Sequence, residues 1–255
     1  MVELARLLPS GLALEQHADG LTLVSTEEPQ AGFVRVDFCD PALTFRRRQS
    51  LRKEAVVRAA GAVTANHRVQ DVSYQTNTPD EAAPVLLDAT TGLGVDAFIL
   101  ACAGWTVLML EQSPIIHALL TDGLKRAHNQ ALDSGDATLE IILGRMKLQD
   151  CQDARDWFTG SGAQQQLDVI YLDPMFPARQ KSARVKKNRY LLQALHGPEA
   201  QGQGLLSLAC PRARKIVVKR PLSAPPLDAD DPTVMRPSAS ISGKHSRFDI
   251  YAGKL

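Results

Sequence analysis

Two short apolar runs of this chain end in acidic residues, and these ends are places where side chains could do chemistry. Residues 168–172 are followed by Asp173 and Pro174, and then by the aromatic Phe176. A second apolar run ends at Asp88. A carboxylate in such a position can accept hydrogen bonds from an amine or a hydroxyl and orient that group toward a reaction partner.

The loop after Asp88 is typical of a turn that binds a nucleoside. Gly92 and Gly94 allow the backbone to turn sharply and to approach a ligand closely. Glu111 ends the next apolar run, 19 residues after Gly92, where its carboxylate could accept hydrogen bonds from a ribose diol. These residues predict a site for a cofactor that carries a nucleoside.

Three interpretations of this loop are open. The glycines could serve packing alone. A nicotinamide or flavin site would usually have a third glycine, three residues after Gly94, but this chain has Ala97 there. Asp88 and Asp96 favour S-adenosylmethionine, because two carboxylates beside the loop would repel a pyrophosphate but not a sulfonium cation.

Alternating strands and helices must position these residues. Apolar strands that alternate with helices form a mostly parallel sheet covered on both faces, so the predicted fold class is α/β. The carboxyl ends of parallel strands meet at one edge, which would bring Asp88, Glu111 and Asp173 together. Strands are predicted at 85–88, 105–111, 138–143, 168–172, 215–219 and 247–251, and helices at 96–103, 113–131, 189–195 and 204–210.

The first part of the chain has a different pattern. Short alternating runs at 21–25 and 32–38 predict a small sheet, and 46–60 predicts a helix. Prolines and polar residues near position 80 indicate a connector. The predicted organisation is an accessory α+β region at 1–80 and a main domain at 81–255.

Composition and charge argue against several classes of protein. The 255 residues carry 29 Lys and Arg against 28 Asp and Glu, which does not fit a polycation or an acidic tail. The four cysteines lie far apart with no histidine at ligand spacing, so neither a disulfide framework nor a metal site is expected. The longest apolar stretch has 14 residues, fewer than the roughly 20 of a membrane-spanning helix. We therefore expect a soluble, cytoplasmic protein without a metal.

Several strings of residues resemble one enzyme family. Residues 87–98 (LDATTGLGVDAF), 171–177 (YLDPMFP), 216–221 (IVVKRP) and 247–251 (RFDIY) are similar to the ribosomal RNA small subunit methyltransferase J family. The glycine loop resembles motif I of the class I methyltransferases, and the segment after residue 172 resembles the D-P-P-Y/F motif of members that modify exocyclic amines. Met175 replaces the second proline, as it does in that family.

The resemblance implies a fold and an activity. The fold would be a Rossmann-like, mostly parallel sheet of seven strands with helices on both faces. The cofactor would be S-adenosylmethionine. The reaction would be methyl transfer to the exocyclic N2 amine of a guanosine in 16S rRNA, so the partner would be this RNA or the small ribosomal subunit.

The resemblance also implies roles for individual residues. Asp173 and the Pro174 carbonyl would hold the target amine, and Phe176 would stack on the base. The family has a polar pair near the adenine after the third strand, which we place at Arg145 and Met146. The predicted cofactor-binding residues are Asp88, Gly92, Gly94, Val95, Asp96, Glu111, Gln112, Arg145, Met146 and Asp173.

Basic residues are concentrated in two segments although the net charge is close to zero. Residues 41–70 hold seven basic side chains and one acidic, and either form a solvated face or contact phosphates. Residues 175–220 hold eleven basic side chains and one acidic. Because this segment adjoins Asp173, we predict that its basic residues contact RNA phosphates, and Lys219 and Arg220 could add to these contacts. The predicted RNA-binding residues are Arg179, Lys181, Arg184, Lys186 and Lys187.

Other functions fit the same residues. Within methyltransferases, the acceptor could be another amine, such as adenine N6 in nucleic acid or a protein glutamine. Outside that class, the alternatives are an NAD-dependent oxidoreductase on a similar fold and an RNA-binding module that lacks catalysis. The sequence gives no oligomeric state.

Overall fold

A computed structural model of the chain describes residues 2–61, 63, 84–174, 187–196 and 202–254. Its helices are α1 (Val2–Ala5), α2 (Pro41–Arg48), α3 (Ala55–Ala60), α4 (Val95–Cys102), α5 (Pro114–Ser134), α6 (Ala137–Gly144), α7 (Ala154–Thr159), α8 (Lys187–His196) and α9 (Leu205–Ala209). Its strands are β1 (Leu12–His17), β2 (Gly20–Ser25), β3 (Phe33–Val34), β4 (Val85–Asp88), β5 (Thr106–Met109), β6 (Met146–Leu148), β7 (Leu167–Leu172), β8 (Ala213–Pro221), β9 (Ala239–Ser242) and β10 (Ser246–Ala252).

Seven of these strands form one sheet in the order β6-β5-β4-β7-β8-β10-β9. The five strands from β6 to β8 are parallel, whereas β10 is antiparallel to both β8 and β9. The order reverses at β4, so the loops after β4 and β7 leave the carboxyl edge side by side, which is where open parallel sheets bind ligands. The predicted Rossmann-like α/β fold is confirmed.

Each face of the sheet packs against its own layer of helices. Leu86 and Leu87 are neighbours on β4 and, as successive strand residues do, they point to opposite faces. Leu86 joins a core with residues of α4, α5 and α6, including Phe98. Leu87 joins a second core with residues of α7 and α9, including Trp157. Burial on both faces explains why the parallel strands are almost wholly apolar.

The predicted third strand at 138–143 is wrong, because this segment lies in helix α6. Asp136 caps the helix by accepting a hydrogen bond from the Leu139 N–H at 2.9 Å. Leu139, Ile142 and Leu143 are buried at helical spacing. A short apolar run does not distinguish a strand from a helix, and here the cap and the spacing decide. The third strand of the main domain is the three-residue β6.

The predicted helix at 46–60 is interrupted. Helix α2 ends before Gln49, which is extended (φ −85°, ψ 171°), and a 3₁₀ turn at Leu51–Lys53 leads to α3. The Arg46 guanidinium donates to both carboxylate oxygens of Glu54 across the break, at 3.0 and 2.9 Å. The interruption lets α2 pack on α4 while α3 packs on β8, β9 and β10.

The amino-terminal residues form the predicted small sheet, β1-β2-β3, which is antiparallel. They continue the core of the main sheet, because Phe38 stacks on Phe98 with ring centroids 5.6 Å apart. The Arg126 guanidinium on α5 donates to the Val36 carbonyl. The described part of 1–61 therefore shares one hydrophobic core with the rest, and the predicted boundary near residue 80 lies outside the described residues.

Among the described residues, no helix has the length and hydropathy needed to cross a bilayer. The same residues hold no group of three or more side chains suited to bind a metal ion.

The contact between the amino-terminal region and α5 can be tested at Gly123. A Cβ there would lie 2.5 Å from Val36 Cγ1 and 3.0 Å from the Val36 carbonyl oxygen. We expect Gly123→Ala to lower the free energy of unfolding by about 1–3 kcal/mol, because overpacking outweighs the gain in helix propensity of about 1 kcal/mol. Urea denaturation measures this.

Gly144→Ala is the matched control, since a Cβ at this helical glycine meets nothing within 4 Å. It should leave stability unchanged or raise it by up to about 1 kcal/mol. Equal effects of the two substitutions would contradict the close packing at Gly123.

Candidate active site

The candidate site is a cleft of about 810 Å³ at the carboxyl edge of the main sheet. The loops after β4, β5 and β7 contribute Gly92, Glu111 and Asp173 to its wall. Leu7, which follows α1, and Leu192 on α8 also line it. The volume falls within the range of about 300–1,000 Å³ that is usual for cofactor sites.

The loop after β4 is held in place by its own polar groups. The Thr91 hydroxyl donates to the Asp88 carbonyl at 3.0 Å, and the Gly94 N–H donates to the Thr91 carbonyl at 3.0 Å. Gly94 has φ +75°, and a Cβ there would lie 2.9 Å from Leu120 Cδ2 and 3.0 Å from Phe38 Cζ. Both the backbone conformation and the packing therefore require glycine at position 94.

Asp88 is a buried carboxyl at the end of β4. It is 1% exposed, and its Oδ1 accepts a hydrogen bond from the Thr90 N–H at 3.2 Å. Burial raises its pKa well above the usual value, and the nearby Asp96 and Asp173 carboxylates add to this effect. The Thr90 hydrogen bond and the Lys219 charge oppose this increase, but burial outweighs both of them.

Glu111 connects the ends of β4 and β5. Its Oε2 accepts a hydrogen bond from the Gly92 N–H at 2.9 Å, and its Oε1 accepts one from the Ser113 N–H at 2.7 Å. Burial raises the pKa of Glu111 to about 7. Both oxygens are thus oriented by the backbone, and each retains a lone pair for the hydroxyl of a ligand.

Asp173 lies in a cluster of charges. The Lys219 ammonium on β8 contacts Asp173 Oδ2 at 2.8 Å and Asp96 Oδ2 at 2.7 Å. The Tyr171 hydroxyl donates to the same Asp96 oxygen at 2.7 Å. Burial raises the pKa of Asp173, while the Lys219 charge opposes that effect. Burial also lowers the pKa of Lys219, but the Asp173 and Asp96 charges outweigh it and the net change is upward.

The backbone of residues 173 and 174 is fixed by two contacts. The Asp173 N–H donates to the Thr90 hydroxyl oxygen at 2.6 Å, which joins the loop after β7 to the loop after β4. A Cβ on Gly202 would lie 2.4 Å from Pro174 Cβ, so the chain before α9 packs directly on the proline ring. These contacts hold the start of the loop after β7 from two sides.

The structure brings together most of the residues predicted to bind a cofactor. Gln112 lines the same cleft as Glu111, and Val95 begins α4 with 39% of its surface exposed. Phe176 lies outside the described residues. The same holds for Arg179, Lys181, Arg184 and Lys186 and for the side chain of Lys187.

Arg145 and Met146 are not at the cofactor edge, contrary to prediction. Met146 begins β6, and the Arg145 guanidinium donates to the Ala101 carbonyl near the end of α4, at the amino edge of the sheet. The error follows from the misplaced third strand, since the segment taken as that strand is helix α6. Gln149 and Asp150 are the residues that follow β6 at the carboxyl edge.

Three contributors to the site were missed or misassigned from the sequence. Lys219 was expected at an RNA surface, but it forms ion pairs inside the cluster. Tyr171 and Thr90 were given no role, although each hydrogen bonds to a site residue. The position of Lys219 at the end of an apolar strand was the available signal, because it repeats the pattern of Asp88 and Asp173.

The residues present fit S-adenosylmethionine. A Cβ on Gly92 would come no closer than 4.0 Å to another atom, so the loop is open to a ligand on that side. Glu111 lines the cleft and offers oriented acceptors for two ribose hydroxyls. The loop after β6 lies beside Glu111, since the Gln152 N–H donates to the Glu111 carbonyl at 3.2 Å, and Asp153 at its end lines the same cleft.

Comparison with known proteins agrees with this geometry. The family model described as "Putative SAM-dependent methyltransferase" matches residues 2–253. The ribosomal RNA small subunit methyltransferase J of Pseudoalteromonas atlantica is 41% identical over 245 residues, which cover 94% of this chain and 85% of the relative. That of Thioalkalivibrio sulfidiphilus is 40% identical over 245 residues, with coverage of 95% and 84%.

A solved structure also resembles the whole chain. The crystal structure of a SAM-dependent methyltransferase from Neisseria gonorrhoeae aligns with a TM-score of 0.66 at 29% identity. The alignment covers 99% of this chain and 91% of that one.

The raised pKa of Glu111 predicts how binding of S-adenosylhomocysteine depends on pH. Ribose hydroxyls donate to the ionised carboxylate, so affinity should fall by up to about tenfold per pH unit below pH 7. The contribution of Glu111 to stability has the opposite sign. Its pKa rises from 4.5 to about 7 on folding, so stabilisation is complete below pH 4.5 and is lost as the pH rises through 7.

Isothermal titration calorimetry between pH 5.5 and 8.5 would measure the affinity. In Glu111→Gln the affinity should be about 10–100-fold lower and independent of pH in this window. Glu140→Gln, at an exposed glutamate on α6, is the control and should keep the wild-type profile. A pH dependence that persists in Glu111→Gln would assign it to another group.

Proposed function

Since the chain belongs to the SAM-dependent methyltransferase family and, within it, to the ribosomal RNA small subunit methyltransferase J proteins, we propose that it methylates the exocyclic N2 amine of a guanosine in 16S rRNA. It is a SAM-dependent rRNA methyltransferase by family. What we propose beyond the family is the acceptor, namely the N2 amine of a guanosine, and the RNA that contains it, 16S rRNA. Its cytoplasmic location is part of the same proposal, since the substrate is ribosomal.

The position of Asp173 and Pro174 beside the cofactor cleft carries this proposal. Asp173 Oδ2 is occupied by Lys219, whereas Oδ1 has no hydrogen-bond partner among the described residues. The Pro174 carbonyl follows on a backbone fixed by Thr90 and Gly202. Two acceptors at the mouth of the cleft suit a planar amino group with two hydrogens.

These acceptors suffice for the chemistry. When bound, S-adenosylmethionine supplies a methyl group on a sulfonium, and transfer of this group to an amine releases a thioether. Asp173 Oδ1 and the Pro174 carbonyl would each accept one N–H of the guanine amine and hold its lone pair toward the cleft. After transfer the nitrogen carries an extra proton, which Asp173 or water would accept.

Basic side chains around the mouth support an RNA substrate. In the described part of the amino-terminal region, Arg46 pairs with Glu54 and Arg47 with Asp136, so these two have structural roles. Between residues 41 and 61, the exposed basic residues that have no ion pair among the described residues are Arg48, Arg52, Lys53 and Arg58.

The β9–β10 turn connects these residues to the active site. The Arg58 guanidinium donates to the Ser242 carbonyl at 3.3 Å, and a Cβ on Gly243 would lie 3.3 Å from Ala55 Cβ. The turn contains the exposed Lys244 and lies at the carboxyl edge, because Ser246 pairs with Pro221 at the end of β8. We therefore propose a basic rim, formed by Arg52, Lys53, Arg58 and Lys244, that contacts RNA phosphates.

The division of the chain is part of the same proposal. Residues 81–255 would form the methyltransferase domain and residues 1–80 an accessory region that covers α4 and α5 and contributes to the rim. Residues 179–187, which follow the catalytic loop in the sequence, would also bind the RNA.

Removal of the Asp173 carboxylate tests the reaction. Asp173→Ala should lower the turnover of 16S rRNA by about 10²-fold or more, because the amine loses an acceptor that orients it. Affinity for S-adenosylhomocysteine should stay within about threefold. Asp173→Asn keeps an acceptor oxygen and should retain more activity than Asp173→Ala. Mass mapping of rRNA from a strain that lacks the gene, complemented by each variant, would identify the product.

The outcomes of this mapping separate the alternatives. Loss of one guanine N2-methyl group without the gene, and its return with the wild type but not with Asp173→Ala, is the expected result. If the guanine keeps its N2-methyl group and an rRNA adenine lacks one, the proposal would move to that adenine. A methyl group missing from a glutamine, in mass mapping of the proteins of the same strain, would move it to protein. Tight binding of NAD with no response to S-adenosylhomocysteine would favour an oxidoreductase and contradict the proposal.

Salt dependence of RNA binding tests the two basic surfaces. Removal of each phosphate contact should reduce the slope of log K against log salt by about 0.7–0.9. We expect such a change for Lys186→Ala with Lys187→Ala and for Arg52→Ala with Lys53→Ala. Arg214→Ala removes an exposed charge at the amino edge of β8 and should leave the slope unchanged. If the slope is unchanged in one of the double variants, the residues replaced in it do not contact RNA phosphates and form a solvated face.

A further inference from the structure

Lys219 lies inside the site, although the sequence pattern assigned it to an RNA-binding surface. It lies near the carboxyl end of β8, and its side chain is 28% exposed. Its ammonium reaches Asp96 Oδ2 at 2.7 Å and Asp173 Oδ2 at 2.8 Å. One cation therefore joins the first turn of α4, where the cofactor loop ends, to the residue that would hold the target amine.

The surroundings of Lys219 make this contact important. Asp88 on β4, Asp96 on α4 and Asp173 after β7 are the carboxyls that face it, and the Tyr171 hydroxyl completes the cluster. Without the ammonium, three desolvated carboxyls would lie close together, and at least one would take up a proton. Lys219 contacts only the Oδ2 atom of Asp173 among its two carboxylate oxygens, so Oδ1 can accept a hydrogen bond from another donor.

We propose that Lys219 is a positioning residue of the methyl transfer: it holds Asp173 by Oδ2, directs Oδ1 to the substrate amine and keeps this carboxylate ionised at neutral pH. The inference rests on the proposed role of Asp173 as acceptor for the amine. Lys219 itself need not contact the substrate.

The electrostatics of the cluster support this role. Burial raises the pKa of Asp173, the Asp96 charge adds to that, and Lys219 is the group that opposes both. A protonated Asp173 would present a hydroxyl in place of one acceptor and would orient the amine less well. Removal of Lys219 should therefore inactivate the enzyme through Asp173 and most strongly at low pH.

The test compares Lys219→Met and Lys219→Arg with the wild type under saturating cofactor and RNA. In the wild type, turnover should fall as the pH drops through the pKa of Asp173. In Lys219→Met this acid limb should move up by about 1–3 pH units, with turnover at pH 7 at least tenfold lower. Lys219→Arg restores the cation and should keep the limb within about half a pH unit of the wild type.

Asp96→Asn is a control that should shift the pKa of Asp173 in the opposite direction. It removes a carboxylate that raises the pKa of Asp173 and leaves Lys219 with Asp173, so the acid limb should move down. Thermal melting would establish that each variant is folded. If Lys219→Met fails to fold, Lys219→Gln removes the same charge with a polar side chain and should move the acid limb up in the same direction.

A second readout does not depend on the substrate. The carboxyl carbon of Asp173 can be titrated by NMR and assigned by its absence in Asp173→Asn. Its midpoint should be higher in Lys219→Met than in the wild type. The proposed role of Lys219 would be overturned if the Asp173 midpoint were the same in Lys219→Met as in the wild type. It would also be overturned if the acid limb of turnover moved in neither Lys219→Met nor Asp96→Asn. A raised midpoint in an enzyme that fails to methylate rRNA would instead contradict the proposed function and preserve the ion pair.

Discussion

The burial of carboxyl groups at the carboxyl edge of the sheet is the constraint on which the rest of the site depends. Asp88 and Glu111 are almost fully buried, and Asp96 and Asp173 are partly buried beside them. Desolvated charges are unfavourable unless they are paired or hydrogen bonded. Here the backbone satisfies Glu111, and Lys219 satisfies two aspartates at once. This arrangement exists only because the sheet places β7 between β4 and β8.

The amino-terminal part of the chain contributes to the same constraint from behind the loop after β4. Phe38 lies against Gly94 and stacks on Phe98 of α4, so the turn that ends at α4 is packed by residues from the amino-terminal part of the chain. The Arg47–Asp136 ion pair joins α2 to the start of α6 in a similar way. The region is therefore a support for the cofactor loop in addition to any contact with RNA.

The sequence predicted those features that depend on local pattern. Gly92, Glu111 and Asp173 were placed correctly at one edge because each follows an apolar strand whose length and composition are unambiguous. The prediction for Arg145 was wrong because the apolar residues 138–143 fit a buried strand as well as a buried helix. Only the hydrogen bond from the Leu139 N–H to the Asp136 cap identifies the segment as a helix. Lys219 was misassigned for a different reason: a lysine at a strand end is solvated by default, and its partners come from distant parts of the chain.

The ion pairs of the site also bear on how donor and product are distinguished. The Asp173 N–H contacts Thr90, and Lys219 contacts Asp96, so the loops for substrate and cofactor share their polar contacts. Asp96 and Asp173 carry two negative charges against the single positive charge of Lys219 when both are ionised, which leaves an excess of negative charge. Such a site attracts a sulfonium more strongly than the neutral thioether that remains after transfer. The electrostatic cluster that orients the amine would thus also favour binding of the methyl donor over retention of its product.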